Sequence, residues 1–157
     1  MRWLTVLKKY RRLTVSMPQN IQEIQDEIIS DCAEFGQWLD LYEYLIKKGK
    51  HLEGAADDLL TDEYLISGCQ SQVWLKAEYF KDAMRFVAFS DSAIIRGMIC
   101  LLLEVFNDQK PEDIATAELY FLDTIGLSSH LSPSRANGLR SIIHHMRACA
   151  EEAVNNR

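Results

Sequence analysis

No hydrophobic run in this chain is long enough to span a bilayer. The longest, Met98 to Leu103, stops at Glu104, far short of the roughly 18 apolar residues that a membrane helix takes, so no membrane association is expected. Cysteine is scarce and irregular: Cys32, Cys69, Cys100 and Cys149 form no C-x-x-C pair and no regular framework. That argues against a disulfide scaffold or a structural metal site. With no secretory leader expected, it points to free thiols in a reducing compartment, the cytoplasm. Internal repeats and low-complexity tracts are also missing. Acid is absent from the first sixteen residues, where Arg2, Lys8, Lys9, Arg11 and Arg12 leave 12 basic against 23 acidic side chains for the rest. A body of that charge repels phosphate backbones, so nucleic acid is not expected as a partner.

What is present suits one domain. The chain has 157 residues, 48% of them hydrophobic, enough for one core and too few for two ordinary domains. Residues 1–16 read as a basic N-terminal extension outside the core, and residues 17–157 as the working domain. Met17-Pro18 fits a start, with Pro18 suited to the first turn of a helix. An Arg-rich start also mimics a transit peptide, but a loose tail is the simpler reading.

Ile21, Ile24, Ile28, Cys32 and Phe35 step by threes and fours, as do Trp38, Leu41, Tyr42, Leu45 and Ile46, which predicts two amphipathic helices, the second ending at Gly49. Residues 50–63 read as a polar loop. The period then shortens to two. Val73 to Phe80 and Met84 to Phe89 alternate about Lys81-Asp82, predicting a hairpin, with a short strand at Tyr64 to Ile66 ahead of it. Ala93 to Phe106 is apolar nearly all round and reads as a central buried helix. Short helices follow from Pro111 and over Leu119 to Ile125, ended by Gly126. Ser132-Pro133 opens a last helix carried by Leu139, Ile142, Ile143, Met146 and Ala150. The class is α+β, a small antiparallel sheet packed with helices.

Cys32 and Cys100 occupy apolar helical positions and Cys149 lies near the end of the last helix, where small buried thiols are common. Cys69 differs. It stands in Gly68-Cys69-Gln70-Ser71-Gln72, where glycine permits a tight bend and polar neighbours argue against the core. A thiol on a loop can present its sulfur to another protein, and its thiolate attacks sulfur in a persulfide as it would in a disulfide.

The run Gly68-Cys69-Gln70-Ser71-Gln72-Val73-Trp74-Leu75 resembles the signature of the SufE family, the sulfur-acceptor proteins of the Suf iron-sulfur assembly system. Ser90-Asp91-Ser92-Ala93-Ile94-Ile95-Arg96-Gly97 resembles the family's strand-to-helix junction. His130-Leu131-Ser132-Pro133-Ser134-Arg135-Ala136-Asn137-Gly138-Leu139 resembles the start of its final helix. The similarity runs in order from about Ile21 to Ala150. It implies a SufE/NifU-like fold whose cysteine sits at a loop tip that shelters it until a partner docks. It also implies that Cys69 takes sulfur as a persulfide from a SufS-like cysteine desulfurase, which it stimulates, and passes it toward a SufBCD-like scaffold. On that reading this chain needs no cofactor, since the pyridoxal phosphate belongs to the desulfurase, and no stand-alone turnover is expected. Whether the chain is a monomer or a dimer stays open.

Several residues are candidates to support Cys69. Arg135, in the first turn of the last helix, opposes the helix dipole and asks for an anionic neighbour: Asp91, a partner carboxylate or the Cys69 thiolate. A solvated surface arginine is the plainer reading. Asp91 fits a helix cap as well. Gln70 and Ser71 either hydrogen-bond the sulfur or simply shape the turn, and Trp74 either packs under Cys69 or fills core. His130 fits a backbone-bonding cap better than catalysis. Two other functions compete with the carrier: an iron-sulfur scaffold of the IscU type, which needs several converging ligands, and a cysteine hydrolase pairing Cys69 with His130, which needs hydrogen-bond reach and an oxyanion hole.

Overall fold

Asn20 starts the first helix. Its side-chain oxygen accepts from the Glu23 amide at 2.8 Å, and the Glu23 carboxylate accepts from the Asn20 amide at 3.0 Å, a reciprocal cap that satisfies two otherwise orphaned donors. This capping box, rather than Pro18, fixes the boundary of α1 (Ile21–Cys32), so Pro18 lies outside the helix. The computed structural model describes residues 18–52, 54 and 57–157. The basic extension over residues 1–16 and the start at Met17 lie outside the described residues.

The apolar stripe of α1 buries Ile21, Ile24, Ile28 and Cys32, and that of α2 (Trp38–Gly49) buries Leu41 and Leu45. Both pack on α3 (Ala93–Phe106). In α3 Ile94, Met98, Ile99, Leu101, Leu102, Val105 and Phe106 are at most 2% exposed, so it is central, as its all-round hydrophobicity predicts. The α2–α3 approach is unusually close. A Cβ on Gly97 would fall 2.2 Å from the Leu45 carbonyl oxygen, so only glycine lets the two backbones meet there.

The hairpin is antiparallel, β1 (Val73–Phe80) with β2 (Ala83–Ser90), in a register running from Val73 opposite Ser90 to Phe80 opposite Ala83. Lys81 (φ 49°) and Asp82 (φ 63°) both take left-handed backbone, as a two-residue turn matched to strand twist requires. Alternation sends Val73, Leu75, Met84, Phe86 and Ala88 into the core. The far edge of β2 is capped by the chain after α3: the Asn107 side chain bonds both the amide and carbonyl of Phe86, and Gln109 accepts from the Met84 amide.

Two expected elements come out shorter. Tyr64 to Ile66 makes a single bridge, Leu65 to Trp74, because the chain bends away at Ser67-Gly68 before a second pair can form. The helix expected over Leu119 to Ile125 is one turn, α5 (Phe121–Thr124), followed after Gly126 by another, α6 (Leu127–His130). The segment 50–63 is not wholly polar loop either. It opens with a 3-10 turn over Lys50–Leu52 and seats Leu59 in the interior at 4% exposure.

Between these lie α4 (Pro111–Thr116) and, at the end, α7 (Pro133–Asn155), which packs on α4, α3 and β1. Ser132 caps α7 by accepting from the Arg135 amide. The architecture is α+β, with a two-stranded sheet and seven α-helices among the described residues. None of those helices is long and apolar enough to cross a membrane.

Candidate functional site

The segment between the Leu65 bridge and β1 is tied down at both ends. Upstream, Gly68 takes φ +90°, and its carbonyl accepts from the Ser141 hydroxyl at 3.2 Å. A Cβ at this position would fall 2.6 Å from Ser141 Oγ, so both backbone and space demand glycine. Downstream, the Gln72 amide donates to Asp91 Oδ1 at 3.0 Å and the Asp91 amide donates back to the Gln72 carbonyl at 3.3 Å. The three residues between, Cys69, Gln70 and Ser71, form a short span across the first turns of α7.

Cys69 points inward along this span. Its thiol donates to the Gly138 carbonyl at 3.5 Å, and Gly138 itself is buried. A Cβ on Gly138 would approach Sγ to 3.7 Å, ordinary contact, so α7 presents bare backbone to the sulfur. Around it lies an open cleft of about 440 Å³, lined by Cys69, Gln70, Ser71, Val73, Ser92, Ile95, Ser132, Ser134, Arg135 and Gly138.

The electrostatics favour the neutral thiol here. Burial pushes the Cys69 thiol above its ordinary pKa, because the thiolate loses hydration. The Gly138 carbonyl needs the S–H proton and repels a thiolate. Burial also raises Cys149, and it raises Cys32 to about 11. Cys32 and Cys100 are buried, the latter donating to the Lys48 carbonyl, and Cys149 is half-buried on α7. What sets Cys69 apart is therefore position, a half-buried thiol on a cleft in a segment held by a few hydrogen bonds.

The structure brings Cys69, Gln70, Ser71 and Arg135 to one cleft, with Gly68 as its bend. Arg135 is exposed and forms no ion pair among the described residues. Asp91 is not the cap of α3, since Ser92 holds that position. It lies one residue earlier, where its carboxylate can face the loop, and it ties Gln72. Trp74 neither underlies Cys69 nor fills core. On a strand that buries Val73 and Leu75 it faces the other way and packs against Phe89 with ring centroids 6.0 Å apart. His130 stacks on Trp38 at 4.8 Å and bonds the Gly126 carbonyl through Nδ1 at 2.9 Å, the backbone role its position suggests, and it does not line the cleft. Ser141 and Gly138 are the contributions that sequence reasoning missed. They lie three residues apart, hence on one face of α7, but nothing local signals that this face meets a loop some seventy residues earlier. No group of three or more His, Cys, Asp or Glu side chains converges among the described residues.

The sequence profile of the SufE family, described as an Fe-S metabolism associated domain, matches residues 26–150. The chain belongs to the SufE family. An uncharacterized SufE-like protein of Rhizobium meliloti is 38% identical over 131 residues, spanning 80% of this chain and 94% of the relative. One from Rhizobium etli is 35% identical over 127 residues, spanning 78% and 86%. The solution structure of a hypothetical protein from Thermus thermophilus superposes with a TM-score of 0.68 at 15% identity, covering 84% of this chain and 96% of that one, a likeness of fold alone. The cleft segment falls within the matched residues, and membership places the chain in iron-sulfur metabolism.

Proposed function

We propose that this SufE-family protein accepts sulfur on Cys69 from a cysteine desulfurase and hands it on to iron-sulfur cluster assembly. The observation that carries the reading is the half-buried Cys69 thiol, hydrogen-bonded to the Gly138 carbonyl on a short segment tied by the Gly68–Ser141 and Gln72–Asp91 contacts. In place, the thiol is kept protonated and inert. Released, it gains water, loses the carbonyl that repels its thiolate and becomes nucleophilic.

The thiolate attacks the outer sulfur of the donor's persulfide. A bond forms between Cys69 Sγ and that sulfur, the donor's S–S bond breaks, and the donor cysteine leaves as a thiolate, with no net oxidation. Return of the segment to α7 shelters the new persulfide from small thiols. A recipient thiolate then takes the outer sulfur by the same exchange and restores Cys69. Arg135, Ser132 and Ser134 line the cleft, and in this reading they meet an anion or a partner carboxylate there. The pyridoxal phosphate that releases sulfur from cysteine belongs to the desulfurase.

The test mixes the protein with a desulfurase and cysteine and follows intact mass, with peptide mapping to place any added sulfur. Sulfur is expected on Cys69. Cys69→Ser should lose both labelling and stimulation of the desulfurase, whereas Cys32→Ser, Cys100→Ser and Cys149→Ser keep both. Full transfer by Cys69→Ser refutes the reading.

A further inference from the structure

The arginines of α7 are served differently from Arg85 and Arg157. Arg85 pairs with Asp108 and Arg157 with Glu112, whereas Arg135, Arg140 and Arg147 form no ion pair with a carboxylate among the described residues. Even Glu151, one turn beyond Arg147, makes none with it. Arg140, His144 and Arg147 are spaced by four and three residues, so they share one flank of the helix. With Leu119 and Ile143 they line a groove of about 260 Å³. Arg140 donates to the Asn137 side chain and Arg147 to the Ala117 carbonyl, yet Arg147 Nε is buried with no acceptor among the described residues.

Arg140 and Arg147 stand two turns apart with no acidic residue between them in the sequence, and a buried N–H without an acceptor is uncommon enough to need a reason. The chain carries 23 acidic side chains against 17 basic ones, so acids to neutralise this flank are plentiful but are placed elsewhere. We propose that the groove is a docking site for an acidic segment of a partner protein, which presents a carboxylate beside an aliphatic side chain. Both guanidinium groups line the groove and suit a carboxylate as charge-assisted donors. Leu119 and Ile143 supply apolar walls for the neighbouring side chain. A nucleic-acid strand would meet the same arginines but also the acidic body around them.

The groove is separate from the cleft. At about 100° per residue, Arg147 lies about 180° around the axis of α7 from Gly138, the residue that holds the Cys69 thiol. A partner here leaves the Cys69 face clear, and the proposal stands whatever Cys69 does.

The test is a ¹⁵N-¹H titration of the full chain that follows the backbone amides and the Arg147 Nε–H signal. The probes are acetyl-Leu-Glu-Leu-amide, its Leu-Gln-Leu counterpart, inorganic phosphate and an oligothymidine. The glutamate peptide should give saturable shifts at Leu119, Ile143, His144 and Arg147 Nε. Its affinity should drop about tenfold or more for the glutamine peptide, for Arg147→Gln and for the exposed-site variant Arg140→Glu. Absence of saturable binding, equal affinity for the two peptides, shifts centred outside the groove, or a stronger response to phosphate or oligothymidine overturns the proposal.

Discussion

Replacing Gly68 by alanine tests how the thiol is sheltered. At φ +90° an alanine bears the left-handed penalty of about 1–2 kcal/mol. Its Cβ would also fall 2.6 Å from Ser141 Oγ, so the hydroxyl must turn away and its bond to the Gly68 carbonyl is lost, about 1 kcal/mol more. These costs arise only while the segment lies against α7, because a released segment lets residue 68 relax. Gly68→Ala therefore shifts the sheltered-to-released balance by about 2–3 kcal/mol, or ~30- to ~140-fold at 1.4 kcal/mol per factor of ten. The readout is the rate of Cys69 alkylation by iodoacetamide, followed by peptide mass, with Cys149 as internal reference. Ser141→Ala loses only the hydrogen bond and should speed alkylation about fivefold. The two effects are coupled. In the double variant the hydrogen bond is removed once, and the nearest remaining contact, Ser141 Cβ at 3.3 Å, is tolerable, so the combined acceleration falls below the product of the singles. An unchanged alkylation rate in Gly68→Ala, with the protein folded, refutes this account of the shelter.

The downstream tie predicts that Asp91→Ala, which removes the acceptor of the Gln72 amide, also speeds Cys69 alkylation, about five- to tenfold, and leaves the urea midpoint nearly unchanged. Gly97→Ala should destabilise the whole fold by about 3 kcal/mol or more, read by urea unfolding, since its Cβ meets the Leu45 backbone at 2.2–2.9 Å rather than a side chain that can turn. Burial raises the Cys32 thiol from its ordinary 9.0 to about 11, with Asp31 the next cause. Its neutral form therefore supports the fold fully below pH 9 and progressively less as pH rises toward 11, and Cys32→Ala should flatten that part of the stability–pH curve.

Most of the scaffold was legible because it rests on local patterns. The threefold-fourfold stripe of Ile21 to Cys32, the alternation from Val73 to Phe89 about Lys81-Asp82 and the unbroken apolarity of Ala93 to Phe106 each report burial geometry directly in residue order. The misses fall where a distant neighbour decides. Tyr64 to Ile66 has strand-like residues, but Gly68 bends the chain away after one bridge, and that bend answers to Ser141 on α7. Trp74 looked like a floor for Cys69 because the two are near in sequence. The pleat sends it to the opposite face from Val73, which lines the cleft. Asp91 read as a helix cap because capping depends on local sequence, whereas its bond to Gln72 depends on a β1–β2 register that places residues 19 apart side by side.

The same register keeps the cost of opening the Cys69 segment small. Gln72 precedes β1 and Asp91 follows β2, so their contact extends the hairpin's end by one pair beyond Val73 and Ser90, where strands fray first. The Gly68–Ser141 bond is a single exposed contact between a loop and a helix. Opening the segment breaks these two ties, the long S–H bond to Gly138 and the packing of Cys69 at the core's edge, whereas the fully buried side chains of α3 lie outside the segment. Had the thiol been placed at Cys32 or Cys100, freeing its sulfur would require separating α1 or α2 from α3, a large part of global unfolding. A partner that offers the released segment only a few hydrogen bonds can therefore shift Cys69 outward, because its differential affinity need only match that small difference between the two states.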